Sequence, residues 1–146
     1  MQIRLKEIDK DNWQECIQLK VQESQVNYIP SNLYSVAEAQ FEDGIKLLGI
    51  FLEETMVGFA SYILDDQGDM NLYKFMIDQV HQGKGYGKAA LLVLMEQIKK
   101  DAVKKEVWLS LHPDNEAAIQ LYKKYGFEQE STGLEAEDEI FFKFSF

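Results

Sequence analysis

Six residues, Gln82-Gly83-Lys84-Gly85-Tyr86-Gly87, constrain this chain more than any other stretch. An apolar run from Leu72 to Ile77 precedes them and reads as a strand, and Leu91, Leu94, Met95, Ile98 and Ala102 follow on one helical stripe. Strand, glycine turn and helix therefore succeed one another. Three glycines at alternate positions let the backbone turn sharply at little steric cost. The amides that open a helix lack partners within it and point out of its positive end, which makes this turn a ready site for a phosphate or pyrophosphate. Lys84 and Lys88 flank it in an otherwise acidic chain.

Two familiar phosphate loops fit poorly. A nucleoside-triphosphate loop needs a glycine five residues before its Gly-Lys pair, then Ser or Thr. Here Gln82 stands at the glycine's place and Ala89 follows Gly87-Lys88, so the magnesium-binding hydroxyl is missing. A dinucleotide fingerprint needs its third glycine one position later and usually opens its domain, whereas this loop lies past the middle of the chain. Taken alone, the stretch is also compatible with a plain turn.

A second stretch changes that balance. Asn115, Ala118 and Tyr122 share one stripe of a helix, and Gly126-Phe127 ends it at the left-handed cap position. Together, Gln82-x-x-Gly85-x-Gly87 and Asn115-x-x-Ala118-x-x-x-Tyr122-x-x-x-Gly126-Phe127 resemble the GCN5-related N-acetyltransferase (GNAT) family, over nearly the whole chain. The resemblance implies an acyl-coenzyme A site, with the pyrophosphate on Gly83-Lys84-Gly85-Tyr86-Gly87-Lys88 beside Gln82. Pantetheine would run along Phe75-Met76-Ile77, Asn115 would bond its amide, and the small Ala118 would let it approach the helix closely. It also implies direct acetyl transfer from acetyl-CoA to an amine, with Tyr122 protonating the leaving thiolate and a backbone amide near Met76 holding the oxyanion.

The chain has 146 residues, one domain's worth, spanning 1–146. No apolar run reaches the roughly 18 residues of a membrane span, and the N-terminus lacks a secretory core. One cysteine, Cys16, permits no internal disulfide, and the expected location is cytoplasmic. A net charge of −10 argues against nucleic acid as a partner and permits a cationic one. No metal is implied.

In chain order, Ile3, Leu5 and Ile8 suggest a strand, and Asp11 with Gln14 a capping box for a helix carrying Trp13, Ile17, Leu19 and Val21. Residues 24–35 form a loop bearing Tyr28 and Tyr34. Ser35-x-x-Glu38 reads as a second capping box, with Gly44 closing that helix. Lys46 to Leu52 and Met56 to Leu64 form a hairpin, Val107 to Leu111 a strand, and Ile140, Phe142, Phe144 and Phe146 the core face of a final strand. His112 reads as a surface loop residue. The acid-rich 128–139 segment, with Glu128, Glu130, Glu135, Glu137, Asp138 and Glu139, reads as an exposed hairpin loop. The expected fold is α/β, a mixed, mostly antiparallel sheet flanked by helices in the order β-α-α-β-β-β-α-β-α-β-β. The resemblance implies that its fourth and fifth strands splay around the cofactor.

A lysine-like amine with a pKa of about 10.4 costs about 4–5 kcal/mol to deprotonate at neutral pH, so a base is expected. Where some family members carry an acid on the fourth strand, this chain has Tyr73 and Lys74. Glu23, Glu38 or the 128–139 segment acting through water, or Tyr73 itself, are the remaining choices. Glu23, Tyr28, Glu38, Glu42 and Tyr73 are the residues expected to meet the acceptor. The segments 22–39 and 49–64 look most like the short bacterial spermine/spermidine acetyltransferases, so a polyamine is the expected acceptor. Another small amine, an aminoglycoside and a protein N-terminus stay as alternatives, and a non-catalytic module that senses coenzyme A or binds a protein partner through its acidic surface is the rival from another class. The family also implies that dimers are common; the Phe-rich last strand offers one surface, though an internal core explains its alternation equally well.

Overall fold

The computed structural model describes residues 2–146. Seven strands form one sheet: β1 (Ile3–Glu7), β2 (Ile45–Leu52), β3 (Thr55–Leu64), β4 (Met70–Ile77), β5 (Glu106–Leu111), β6 (Glu128–Glu130) and β7 (Ile140–Ser145). Four helices accompany them: α1 (Trp13–Gln18), α2 (Asn32–Glu38), α3 (Tyr86–Asp101) and α4 (Glu116–Tyr125). The element order is the one expected. Spatially the sheet runs β1-β2-β3-β4-β5-β7-β6, antiparallel at every step except β4 to β5.

The sheet buries both faces. Ala90, Leu91, Leu94, Met95 and Ile98 form the buried stripe of α3 and meet Ile50, Tyr62, Leu72 and Phe142 in the larger core. Tyr122 brings α4 into the same cluster. On the opposite face, Cys16 of α1 packs with Phe51, Met56, Phe59 and Met76. Both edges of β7 are taken, by β5 and β6, and Phe142 is fully buried. The alternation of the last strand therefore serves the internal core.

Three helix boundaries differ from expectation. Asp11 does not cap α1, because the Asp9 carboxylate accepts the amides of Asp11 (2.8 Å) and Asn12 (3.2 Å) and delays the helix to Trp13. Leu19 and Val21 then fall beyond its end. Ser31, not Ser35, caps α2, accepting from the Tyr34 amide at 3.1 Å. Ser35 lies buried inside that helix, and the Ser35-x-x-Glu38 pattern is incidental. Gly44, at φ +94°, comes after α2 has ended and leads into β2.

One irregularity organises the site. Ser61 pairs with Lys74 but Tyr62 with Leu72, leaving Tyr73 as an extra residue in β4. Such a bulge reverses the alternation. Leu72 thus joins the α3 face, while Lys74 and Met76 turn to the α1 face with Phe59.

At the far end of α3, Asp101 sits where the helix dipole disfavours a carboxylate. Tyr62 Oη donates to Asp101 Oδ2 at 2.6 Å and Lys46 Nζ at 2.9 Å, and these bonds hold its pKa below the usual carboxylate value. A depressed pKa contributes stability above the unfolded carboxylate range that is lost as pH falls through the folded value. With the Asp101 side chain one-third exposed, water screens the pair. Asp101→Asn should lower stability by about 1 kcal/mol at pH 7 in urea melts, and the difference should shrink towards zero as pH falls below the ordinary carboxylate range.

Candidate active site

The glycine turn is built as an anion cradle. Gly83 (φ +78°) and Gly85 (φ +83°) both need the left-handed region, and Gly85 is the N-cap of α3. The first helical bond there is Ala89 N to Gly85 O (3.3 Å) and no side chain caps the end, so the amides of Tyr86, Gly87 and Lys88 point outward unpartnered. Tyr86 packs on the core, while Lys84 and Lys88 are exposed. At Gly87 a methyl would meet only Ile77 Cγ1, at 3.8 Å. Nothing inside the protein requires glycine there; the added carbon would instead take space from the cavity that Gly83 and Gly87 line.

That cavity, of about 240 Å³, continues into the gap between β4 and β5. The two strands pair only at Asn71–Trp108. Asp78 N donates to Val57 O on β3 (2.8 Å), and successive strand amides point to opposite edges. The Met76 amide therefore turns to β3, and those of Phe75 and Ile77 face the gap. Of the amides around Met76, where the oxyanion donor is expected, those of its two neighbours are the ones on the gap side. Gln82 Nε2 occupies the Ile77 carbonyl at 2.9 Å and reaches Gln25 Oε1 at 3.1 Å.

A second cavity, of about 360 Å³, opens on the other side. The two meet at Ile29, Phe75, Asn115, Ala118 and Tyr122. Tyr122 is 5% exposed and burial raises its pKa, so it stays protonated at neutral pH. No side chain among the described residues hydrogen-bonds its hydroxyl, and no fully buried polar side-chain atom among them lacks a partner, so that hydroxyl opens on the cavity. Asn115 is the N-cap of α4: its Oδ1 accepts from Ala118 N at 3.4 Å, which leaves Nδ2 for a ligand.

Comparison with known proteins now identifies the chain. The profile of the acetyltransferase (GNAT) family matches residues 6–127. This chain is a GNAT-family N-acetyltransferase. It is 33% identical over 135 residues to a spermine/spermidine N(1)-acetyltransferase of Bacillus subtilis, covering 88% of this chain and 89% of that one. It is 33% identical over 76 residues to an Escherichia coli ribosomal protein bS18-alanine N-acetyltransferase, covering 51% and 49%. Its fold matches a PaiA N-acetyltransferase of Thermoplasma acidophilum, solved in complex with coenzyme A, at a TM-score of 0.75 over all of both chains and 20% identity.

The expected acceptor residues of this acetyltransferase divide by location. Tyr28 and Tyr73 line the larger cavity, and Glu38 lies in an adjoining recess with Tyr73 and Lys74. Tyr73 Oη donates to Glu42 Oε1 at 2.7 Å, and burial followed by Glu42's charge raises the Glu38 pKa. Glu23 lines a third cavity, of about 390 Å³, which shares Ile29, Pro30 and Lys74 with the 360 Å³ one. The 128–139 segment begins as β6, and Glu135 folds back on Thr132 and Gly133; Asp138 and Glu139 reach the cavity.

Two residues were underrated. His112, expected at the surface, lines the cavity and stacks on Tyr28 with ring centroids 4.7 Å apart. Lys74 is 6% exposed, donates from Nζ to the Pro30 carbonyl, and is pulled down by burial to a pKa of about 8. The 19–25 segment is braced to the glycine turn: Lys20 N donates to Asp78 Oδ1 (2.8 Å) and Gln79 N to Lys20 O (2.7 Å). No helix of the described residues is long and apolar enough to cross a membrane.

The geometry at Gly87 generates a test with opposed signs. Gly87→Leu should leave the free protein as stable or up to about 1 kcal/mol more stable, because glycine disfavours helix. The same change should weaken acetyl-CoA binding by roughly tenfold or more, and with it the cofactor-induced rise in Tm. Calorimetry and melting curves with and without acetyl-CoA read both.

Proposed function

We propose that this acetyltransferase moves the acetyl group of acetyl-CoA directly onto a primary amine of spermidine or spermine. The observation that carries the acceptor is the rim of the larger cavity. Asp138 and Glu139 stand on one side, and the Tyr73–Glu42 pair with Glu38 on the other. A flexible polycation needs carboxylates spaced along its length, because each exposed pair contributes only about 0.2–1 kcal/mol. The Bacillus subtilis relative's activity on spermine and spermidine supports the same reading.

The geometry supports the following roles. Pyrophosphate rests on the amides of the glycine turn between Lys84 and Lys88. Pantetheine fills the β4–β5 gap, bonding the Phe75 and Ile77 amides and Asn115 Nδ2, with Ala118 leaving it room. A gap-facing β4 amide holds the oxyanion as the amine nitrogen attacks the thioester carbon. The C–S bond then breaks, and Tyr122 donates its proton to the departing sulfur. Before the attack the ammonium loses one proton through Tyr73, whose hydroxyl accepts it while passing its own to Glu42; the second nitrogen proton, shed as the amide forms, returns Tyr122 to its protonated state.

Tyr73→Phe should therefore lower kcat/KM for the amine about tenfold to hundredfold near pH 7. The deficit should shrink as pH rises towards the amine's own pKa, where the free base no longer needs help. A deficit constant across the pH–rate profile excludes Tyr73 from the proton route.

A peptide N-terminus is the second reading, supported by the shorter match to the ribosomal-protein alanine acetyltransferase. The deciding experiment compares kcat/KM for spermine, spermidine, an aminoglycoside and an Ala-initiated peptide at two salt concentrations. Spermidine or spermine should lead, with several-fold weaker turnover at high salt as the Debye length falls from about 10 Å to about 3 Å. A clear lead for the peptide or aminoglycoside, or salt-independent spermine turnover, overturns the polyamine assignment.

A further inference from the structure

Lys74 is a buried cation that the chemistry above leaves unused. It forms no ion pair among the described residues. An ammonium taken from water without a counter-ion is costly. Here the cost is only partly offset, by the Pro30 carbonyl and by the Phe59 ring, whose centroid is 5.8 Å from Nζ. Among the described residues the titratable neighbour acting on it is the Cys16 thiol.

Its position explains what it can do. The bulge at Tyr73 turns Lys74 towards the 27–31 segment. That segment forms the wall of the larger cavity through Tyr28, Ile29 and Pro30. Tyr28 reaches across the strand gap to stack on His112. Yet among the described residues the bond from Lys74 to Pro30 O is the single hydrogen bond between the sheet and residues 27–31. Neighbouring ties hold other residues: Asn32 Nδ2 to Cys16 O at 2.9 Å, and Gln25 to Gln82. Lys74 also stands where that cavity, the recess beside Glu38 and the 390 Å³ cavity beside Glu23 adjoin, lining all three.

We propose that Lys74 is a positioning residue for the acceptor amine, holding Pro30, and through it Tyr28 and Ile29, as the wall against which the amine is aligned. The proposal rests on the larger cavity being the acceptor site; it does not depend on the acceptor being a polyamine. Because the bond is to one carbonyl and not to a fork-shaped partner, any cation of similar reach serves in its place.

Lys74→Met and Lys74→Arg separate this role from mere packing. With whichever amine the unmodified enzyme acetylates best, Lys74→Met should raise the amine KM about tenfold while kcat stays within about threefold and the KM for acetyl-CoA within about twofold. Lys74→Arg should restore the amine KM. Hydrogen exchange should show residues 26–31 opening about tenfold more readily in Lys74→Met and not in Lys74→Arg, with α3 unchanged. Should Lys74→Met fail to fold, Lys74→Gln, which keeps a shorter donor, takes its place. An unchanged amine KM, equal losses for both substrates, or failure of Arg to restore the wall overturns the proposal. If no amine in the panel is acetylated, the functional reading falls, and exchange in residues 26–31 still decides whether Lys74 holds them.

Discussion

The structure depends on an unfinished sheet. β4 and β5 start side by side at Asn71 and Trp108 and then part, so backbone groups of Phe75 and Ile77 face a gap and not a neighbouring strand. Buried backbone amides go unpaired only at a cost. A ligand that carries its own amides, as pantetheine does, can complete the pairing that β5 leaves undone. The placing of α4 follows from the same gap. With Asn115 as cap and Ala118 as a small face, its first turn stands where a missing strand neighbour would otherwise be.

Legibility in the sequence followed the range of the interactions. The glycine turn, the α3 stripe and the α4 motif are local patterns, set by left-handed backbone and helical spacing, and each appears in the fold at its expected place. The helix starts at Trp13 and Asn32 were missed because Asp9 and Ser31 compete for amides that the capping-box patterns assign elsewhere. Lys74 and His112 were misjudged for a different reason. The bulge at Tyr73 and the stacking of Tyr28 on His112 are set by strand register and by contact between distant segments, which no local spacing records.

Charge is distributed by depth. The carboxylates around the larger cavity lie at its rim, partly or fully exposed, where salt can screen them. The groups at its wall are neutral or self-contained: Tyr122 is held protonated by burial, and Lys74 is paired with a carbonyl. A chain with a net charge of −10 can thus attract a cation over a distance.

The braces between Lys20 and Asp78–Gln79 and between Gln25 and Gln82 have a consequence for redesign. They divide the stretch between α1 and α2 into two modules. Residues 19–25 are fastened to the glycine turn and the residues leading into it, although the bonded partners lie 57 and 58 positions apart in sequence. Residues 26–31 line the larger cavity and, among the described residues, are hydrogen-bonded to the sheet through the Lys74 side chain alone. A loop graft meant to change acceptor choice should therefore begin after Gln25 and stop before Ser31, keeping Lys74 as its anchor. A graft cut at the end of α1 would carry away half of the bracing that keeps the coenzyme turn in shape.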